Sequence, residues 1–213
     1  MKETGTTTDT IKIMIVDDHA IVRQGLAALM KTVPGFSVVA EGSDGEEAVA
    51  LYRQHRPDVT LMDVRLPDMS GIDALLAIRA EFATARIIML TTFEGDAEIR
   101  RAVSAGARGY ILKTMPRKAI VEAIRKVYSG KTMIPPEVAE QLAEFMGDEP
   151  LSKRELDVLQ RLAGGNRNID IANLLFISEE TVKGHVKHIM EKLRAKDRTE
   201  AVAIAVRRGI IQL

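Results

Sequence analysis

Five polar side chains follow directly on apolar runs, and their types could act together: Asp17 and Asp18 after IMIV, Asp63 after VTLM, Thr91 after IIML and Lys113 after GYIL. Neighbouring carboxylates repel and raise each other's pKa unless water or a cation separates them. Three of them gathered into one small volume would demand a cation, and clustered oxygen ligands with room for water suit Mg2+ better than a soft metal. Such an ion favours a phosphoryl group arriving nearby. A lysine and a hydroxyl then complete the electrostatic clamp that phosphoryl transfer needs. Asp63 is the best nucleophile because it begins the turn Val64 to Gly71, which contains Pro67. Asp18 is the most direct metal ligand, with Asp17 helping directly or through a water.

These residues can meet only if the apolar runs lie side by side. The runs IKIMIV, FSVVAE, DVTLMD, RIIMLT and GYILK alternate with segments such as AIVRQGLAALMKT, whose apolar residues recur at spacings of three and four. That alternation predicts five β/α units around a parallel sheet, an α/β fold. Its cleft lies at the carboxyl edge of the strands, where the strand order reverses. With the order 2-1-3-4-5, strands one and three are neighbours and the carboxylates converge. Each residue alone has a plainer explanation: an Asp after a strand is usually a solvated turn or cap, a Lys there is usually surface, and Tyr110 and Phe93 read as core aromatics. His19, beside a helix start, reads as a capping or packing residue. The argument for chemistry is the combination in strand order.

The chain has 213 residues, 46% of them hydrophobic, enough for two domains with buried cores. It has no cysteine, so a disulfide framework or thiolate metal site is excluded. No segment approaches the roughly 18–20 apolar residues of a membrane span, and the first residues lack a leader's apolar core. A cytoplasmic protein is expected. The net charge of zero hides an asymmetry, since residues 151–213 hold 12 Lys+Arg against 8 Asp+Glu. A basic C-terminal part suits a polyanionic partner.

The organisation expected is a disordered tail over 1–10, the α/β domain over 11–130, a linker with a short helix over 131–150, and an all-α four-helix domain over 151–213. Pro135 and Pro136 suit the start of the linker helix, and Gly147 to Pro150 a break. In the last domain NIDIANLLFISEETVKGHVKHIMEKL reads as helix, turn, helix, with Ser178 as N-cap. Val182, Val186, Ile189 and Leu193 form one apolar stripe that must face the domain's own core. Lys183 and Lys187 then share an exposed flank, as on a recognition helix in a major groove. A solvated Lys/Glu face would explain the lysines equally, but Gly184 costs a helix interior about 1 kcal/mol relative to Ala and permits close approach to DNA. Ala201, Ile204 and Ala205 of the last helix suit either core or a dimer face.

The stretches VDDH, LMDVRLPDMSG, LTTF and GARGYILK resemble the receiver domain of bacterial two-component response regulators. Together with LSKRELDVLQRLAGGNRNIDIANLLFISEETVKGHVKHIMEKL they resemble the NarL/FixJ, LuxR-type subfamily, from about residue 11 onward. The resemblance implies that Asp63 accepts a phosphoryl group from a sensor histidine kinase, with Asp17, Asp18, Asp63 and the carbonyl of Arg65 holding Mg2+. It implies that Thr91 and Tyr110 reorient on phosphorylation while Lys113 pairs with the phosphoryl oxygens. It further implies a homodimer on promoter DNA, with Lys183, Gly184 and Lys187 at base-reading positions and Ser178, Thr181, His188 and Lys192 toward the backbone. RNA polymerase is a further partner to consider. Lys113 is followed by Thr114 where many receivers have proline, with Pro116 two residues later, which weakens the expectation of a cis peptide there.

Two rival readings remain at this stage. A Mg2+-dependent phosphohydrolase would use similar groups but want a second acid two residues past the nucleophile, where this chain has Arg65. An interaction module that binds protein through its helical domain, without phosphorylation, is the other.

Overall fold

The computed structural model describes residues 10–92, 96–144 and 149–211. The tail up to Asp9, Phe93 and the break at Gly147 and Asp148 lie outside the described residues. The chain runs β1 (Ile11–Val16), α1 (Ala20–Lys31), β2 (Phe36–Gly42), α2 (Gly45–His55), β3 (Val59–Asp63), α3 (Gly71–Glu81), β4 (Ile87–Thr91), α4 (Asp96–Ser104), β5 (Gly109–Leu112) and α5 (Arg117–Tyr128). The short α6 (Pro136–Glu144) follows, then α7 (Lys153–Ala163), α8 (Asn168–Leu175), α9 (Glu179–Leu193) and α10 (Arg198–Arg207). It divides into two compact units, Met1–Phe93 with Arg101–Ala139 and Glu94–Arg100 with Glu140–Leu213.

The first unit is a five-stranded sheet in the order β2-β1-β3-β4-β5, as the sequence predicts, and every pair is parallel. Strands β3 and β4 are buried at every position, which is why they read as continuous apolar runs: a parallel sheet is covered on both faces. Ile13, Ile15, Leu61, Ile88, Leu90 and Ile111 pack on one face against Leu26 and Met30 of α1 and Ile120 and Ile124 of α5. The alternate residues Met14, Met62 and Met89, also buried, belong to the opposite face. Each such side chain, fully buried, stabilises the fold by roughly 1.5–3 kcal/mol.

The register brings the chemical residues level. Val16 pairs with Met62, Asp63 with Leu90, and Thr91 with Leu112. Asp17, Asp63, Thr91 and Lys113 therefore leave the sheet together at its carboxyl edge. At the outer edge, Met133 forms a parallel bridge to Gly109: the Tyr110 amide donates to its carbonyl at 2.8 Å and its own amide to Arg108 at 3.0 Å. The chain beyond α5 is thus stitched to β5 before α6 begins at Pro136, a residue suited to a first helical position because it has no N–H to leave unpaired.

The second unit packs α7 to α10 around Val158, Leu159, Leu162, Ile171, Val182, Ile189 and Leu193. Val186 is partly buried against this core, so the expected stripe of α9 faces inward. Ala201 and Ala205 are core residues with Ile204 packed beside them. Helix α7 starts with a capping box, Ser152 accepting from the Glu155 amide while the Glu155 carboxylate accepts from the Ser152 amide. Ser178 caps α9 by accepting from the Thr181 amide at 3.0 Å, as its position predicts. Of the described residues, no helix is long and apolar enough to cross a membrane.

Candidate functional site

The sheet edge gathers the expected cluster. Asp17 is fully buried and Asp63 is 4% exposed, while Asp18 faces solvent. The Lys113 ammonium lies between the two buried acids, 2.8 Å from Asp17 Oδ2 and 2.7 Å from Asp63 Oδ2. Lys113 reaches this place because its amide donates to the Thr91 carbonyl at 2.7 Å, aligning the ends of β4 and β5. Burial holds the Asp63 carboxyl above its ordinary range, with Lys113 pulling it back and Asp17 pushing it further up. Burial works against the Lys113 ammonium too, but its bonds to Asp17 and Asp63 outweigh that and raise its pKa.

One ligand atom from each of Asp17, Asp18, His19 and Asp63 lies within 4.8 Å of all the others. Asp17 Oδ2 is fully buried and meets the Lys113 ammonium at 2.8 Å, while Asp17 Oδ1 accepts from the His19 amide. Three carboxylates gathered within this distance form a donor set that fits a hard divalent cation. The Arg65 amide points back at Asp63, donating to Oδ1 at 3.4 Å.

Thr91 is 7% exposed and Tyr110 only 1%, both with bonding partners in the fold. His19 occupies the N-cap position of α1 but makes no side-chain cap. Its Nδ1 instead pairs with Asp18 Oδ1 at 2.6 Å, and its amide donates to Asp17 Oδ1 at 2.9 Å. The expectation of a capping or packing role is corrected accordingly: a ring 67% exposed finds a carboxylate more readily than a backbone amide.

Two residues at this edge carry a role that sequence pattern did not signal. Arg23 donates to the Asp17 carbonyl at 2.5 Å. Gly71, the first residue of α3, lies so close to the end of β3 that a Cβ there would sit inside the Asp63 carbonyl oxygen. Its only trace in the sequence is a glycine at the end of the turn that Asp63 opens.

In the second unit Lys183, Gly184, Lys187 and His188 are exposed on α9, and the hydroxyls of Ser178 and Thr181 lie 2.8 Å apart at its first turn. Lys183 pairs loosely with Glu179 and Glu180, and Lys187 with Glu191 at 3.8 Å. Exposed pairs of this kind contribute little and yield readily to a stronger anion. A Cβ at Gly184 would meet nothing within 4 Å, so no contact inside the domain requires a glycine there.

Lys192, unlike the exposed lysines of this helix, has partners inside its own unit. Its side chain is 17% exposed, and its ammonium sits 3.0 Å from the buried Glu155 and 3.0 Å from Glu149 while also donating to the Pro150 carbonyl. It lies one turn from the basic flank in sequence and ties α9 to the start of α7. Burial alone would raise the Glu155 pKa, yet the Ser152 amide and Lys192 outweigh it and hold the carboxyl below its usual range. A depressed carboxyl contributes stability above its unfolded value, about 4.3, and that contribution fades as pH falls through the folded value. Lys192→Met is therefore expected to lower the melting temperature of the second unit by about 5 °C at neutral pH. The gap should close on acidification below pH 4, as followed by circular dichroism melts across pH.

Comparison with known proteins agrees with this geometry. Residues 13–125 match the response regulator receiver domain, and residues 149–205 the bacterial regulatory proteins of the luxR family. The response regulator protein VraR of Staphylococcus aureus is 39% identical over 208 residues, covering 95% of this chain and all of that protein. The crystal structure of the response regulator ChrA of a heme-sensing two-component system is 37% identical, covers 95% of this chain and 99% of that one, and superposes with a TM-score of 0.58. RcsB of Salmonella enterica serovar Typhimurium, solved bound to a promoter with a phosphomimetic, is 24% identical over 94% of this chain and all of its own, and shares the fold with a TM-score of 0.73. With a receiver match over half its length and a full-length relative at this identity, the chain belongs to the two-component response regulators, transcription regulators that join a receiver to a LuxR-type DNA-binding domain.

Proposed function

We propose that Asp63 accepts a phosphoryl group from a sensor histidine kinase and that this modification controls dimerisation and sequence-specific binding of promoter DNA. The observation that carries the reading is the Lys113 ammonium held within 2.8 Å of both Asp17 and Asp63 at the carboxyl edge of the sheet. A carboxylate oxygen of Asp63 forms the new P–O bond as the P–N bond of the kinase's phosphohistidine breaks, and the imidazole leaves with a proton. Mg2+, held by Asp17, Asp18, Asp63 and the Arg65 carbonyl, would neutralise charge on the transferring group. Lys113, already charged and aimed at Asp63, exchanges a carboxylate partner for phosphoryl oxygens.

The acyl phosphate brings roughly one to two negative charges and three acceptor oxygens. Thr91 and Tyr110 respond by shifting between two arrangements of the surface they support, biasing a pre-existing equilibrium toward the homodimer. The working division is a receiver over 11–130, a linker over 131–150 and a DNA-binding domain over 151–213, acting in the cytoplasm, with RNA polymerase a further partner at the promoter.

On DNA, Lys183, Gly184 and Lys187 face the bases, while Ser178, Thr181, His188 and Lys192 approach the backbone, and a dimer spans half-sites about one helical turn apart. Base contacts set specificity and phosphate contacts set salt dependence. Footprinting of promoter DNA with and without acetyl phosphate and Mg2+ tests the whole scheme. Protection strengthened by the phosphodonor is expected, and Lys187→Ala should cost about 1–3 kcal/mol of discrimination at one base position. Protection equal in both conditions would refute phosphorylation control.

A further inference from the structure

We infer that Asp68 is a positioning residue for phosphoryl acceptance, tying the loop between β3 and α3 to the first turn of α2 and so holding that loop against the Asp63 carboxylate. The inference rests on the reading of Asp63 as the phosphoacceptor. The tether is two-pronged: Asp68 Oδ1 accepts from the Gly45 amide at 2.8 Å and Oδ2 from the Glu46 amide at 2.9 Å. Helix α2 already has a cap of its own, since Asp44 accepts from the Glu47 amide at 2.7 Å. The first-turn amides that this cap leaves over, the buried one of Gly45 and the exposed one of Glu46, are the two that Asp68 takes. Asp68 therefore completes the end of α2 and, by the same two bonds, orders its own loop.

A second contact makes the same junction tight. A Cβ on Gly45 would lie 2.8 Å from the Met69 carbonyl oxygen and 3.0 Å from the Met69 Cβ, so the loop rests directly on the α2 backbone. Its far end is fixed where the Gly71 amide donates to the Val64 carbonyl at 2.9 Å. Between these fixed points lies Arg65, whose amide reaches Asp63 Oδ1 across 3.4 Å, near the limit of a useful hydrogen bond. A bond that long is lost with a small drift of the loop. The Asp68 carboxyl is held below its ordinary range, first by the Gly45 amide, so the tether is made by the ionised form that prevails at neutral pH.

The test uses the full chain and four proteins: wild type, Asp68→Ala, Gly45→Ala and Asp44→Ala. Half-saturating Mg2+ is read by NMR titration without phosphodonor, the initial rate of labelling by acetyl phosphate is read separately, and thermal melts report stability. Groups that support a metal site from outside it typically change affinity by about 10-fold or more. Asp68→Ala and Gly45→Ala, which disturb the junction from opposite sides, are each expected to raise half-saturating Mg2+ and slow labelling by about that factor. Asp44→Ala removes a cap from the same helix end without touching the loop, and is expected to lower the melting temperature while leaving both readouts at wild-type values. Mg2+ binding and labelling of Asp68→Ala equal to wild type would overturn the inference, as would Asp44→Ala matching Asp68→Ala in both. A wild type that takes no label would instead sink the reading of Asp63, and the Mg2+ titrations would still decide whether Asp68 positions the loop.

Discussion

Asp63→Asn is expected to take no label from acetyl phosphate in the presence of Mg2+, whereas wild type is labelled stoichiometrically. The amide keeps the shape of the carboxylate but lacks the nucleophilic oxygen pair, so the loss is total rather than graded. Stability separates this result from simple unfolding. Burial and the nearby Asp17 charge disfavour the ionised form of Asp63, so at neutral pH the wild-type fold carries a cost that the amide removes. Lys113 keeps Asp17 as a partner at 2.8 Å. The melting temperature of the variant is therefore expected to equal or exceed that of wild type, and the advantage should shrink as pH falls and Asp63 itself takes up a proton. Labelling of Asp63→Asn at the wild-type level, read by phosphate-affinity electrophoresis or intact mass, would mean that another residue is the acceptor.

Gly71→Ala should be the most disruptive single-methyl change in the first unit. The added carbon would overlap the carbonyl oxygen of Asp63, a backbone atom in a strand buried at every position. Neither partner can swing aside as a flexible side chain could. Overpacking of this kind costs about 1–3 kcal/mol, and the upper end is expected here because the strain falls on strand and helix backbone together. Any relaxation moves Asp63 itself, so labelling should slow even in the fraction that folds. The same substitution at Gly184, where the new carbon meets nothing, is expected to stabilise by up to about 1 kcal/mol through helix propensity. Chemical denaturation of the two variants side by side would show opposite signs. Equal and small effects would mean that the close approach at Gly71 is not maintained in solution.

Features set by local pattern were readable before any coordinates. The five β/α units followed from apolar runs alternating with amphipathic segments, the strand order was supposed because it lets the carboxylates meet, and the inward stripe of α9 followed from spacing alone. Ser178 announced its helix through a side chain that caps within three residues. Partners distant in sequence were not readable. Lys192 looked like a continuation of the basic flank, and nothing near it in the chain shows that Glu155, 37 residues earlier, would claim it. Asp68 drew no reading at all, because its bonds go to amides 22 and 23 residues away. His19 shows the reverse problem: the cap position was read correctly, but a short-range rule was assigned to a ring that the adjacent carboxylates attract more strongly.

The bridge between Met133 and Gly109 bears on how this protein can associate with others. An outermost strand ordinarily offers its row of amides and carbonyls to any extended chain that drifts past, which is the usual start of strand exchange and of fibrous aggregates. Here that row meets Met133, and the prolines at 135 and 136 that follow supply no amide with which a longer ladder could be built. The flank of β5 is closed to a visiting strand where the bridge lies, which steers self-association there toward contacts between side-chain surfaces, the kind that can form and dissolve with a signal.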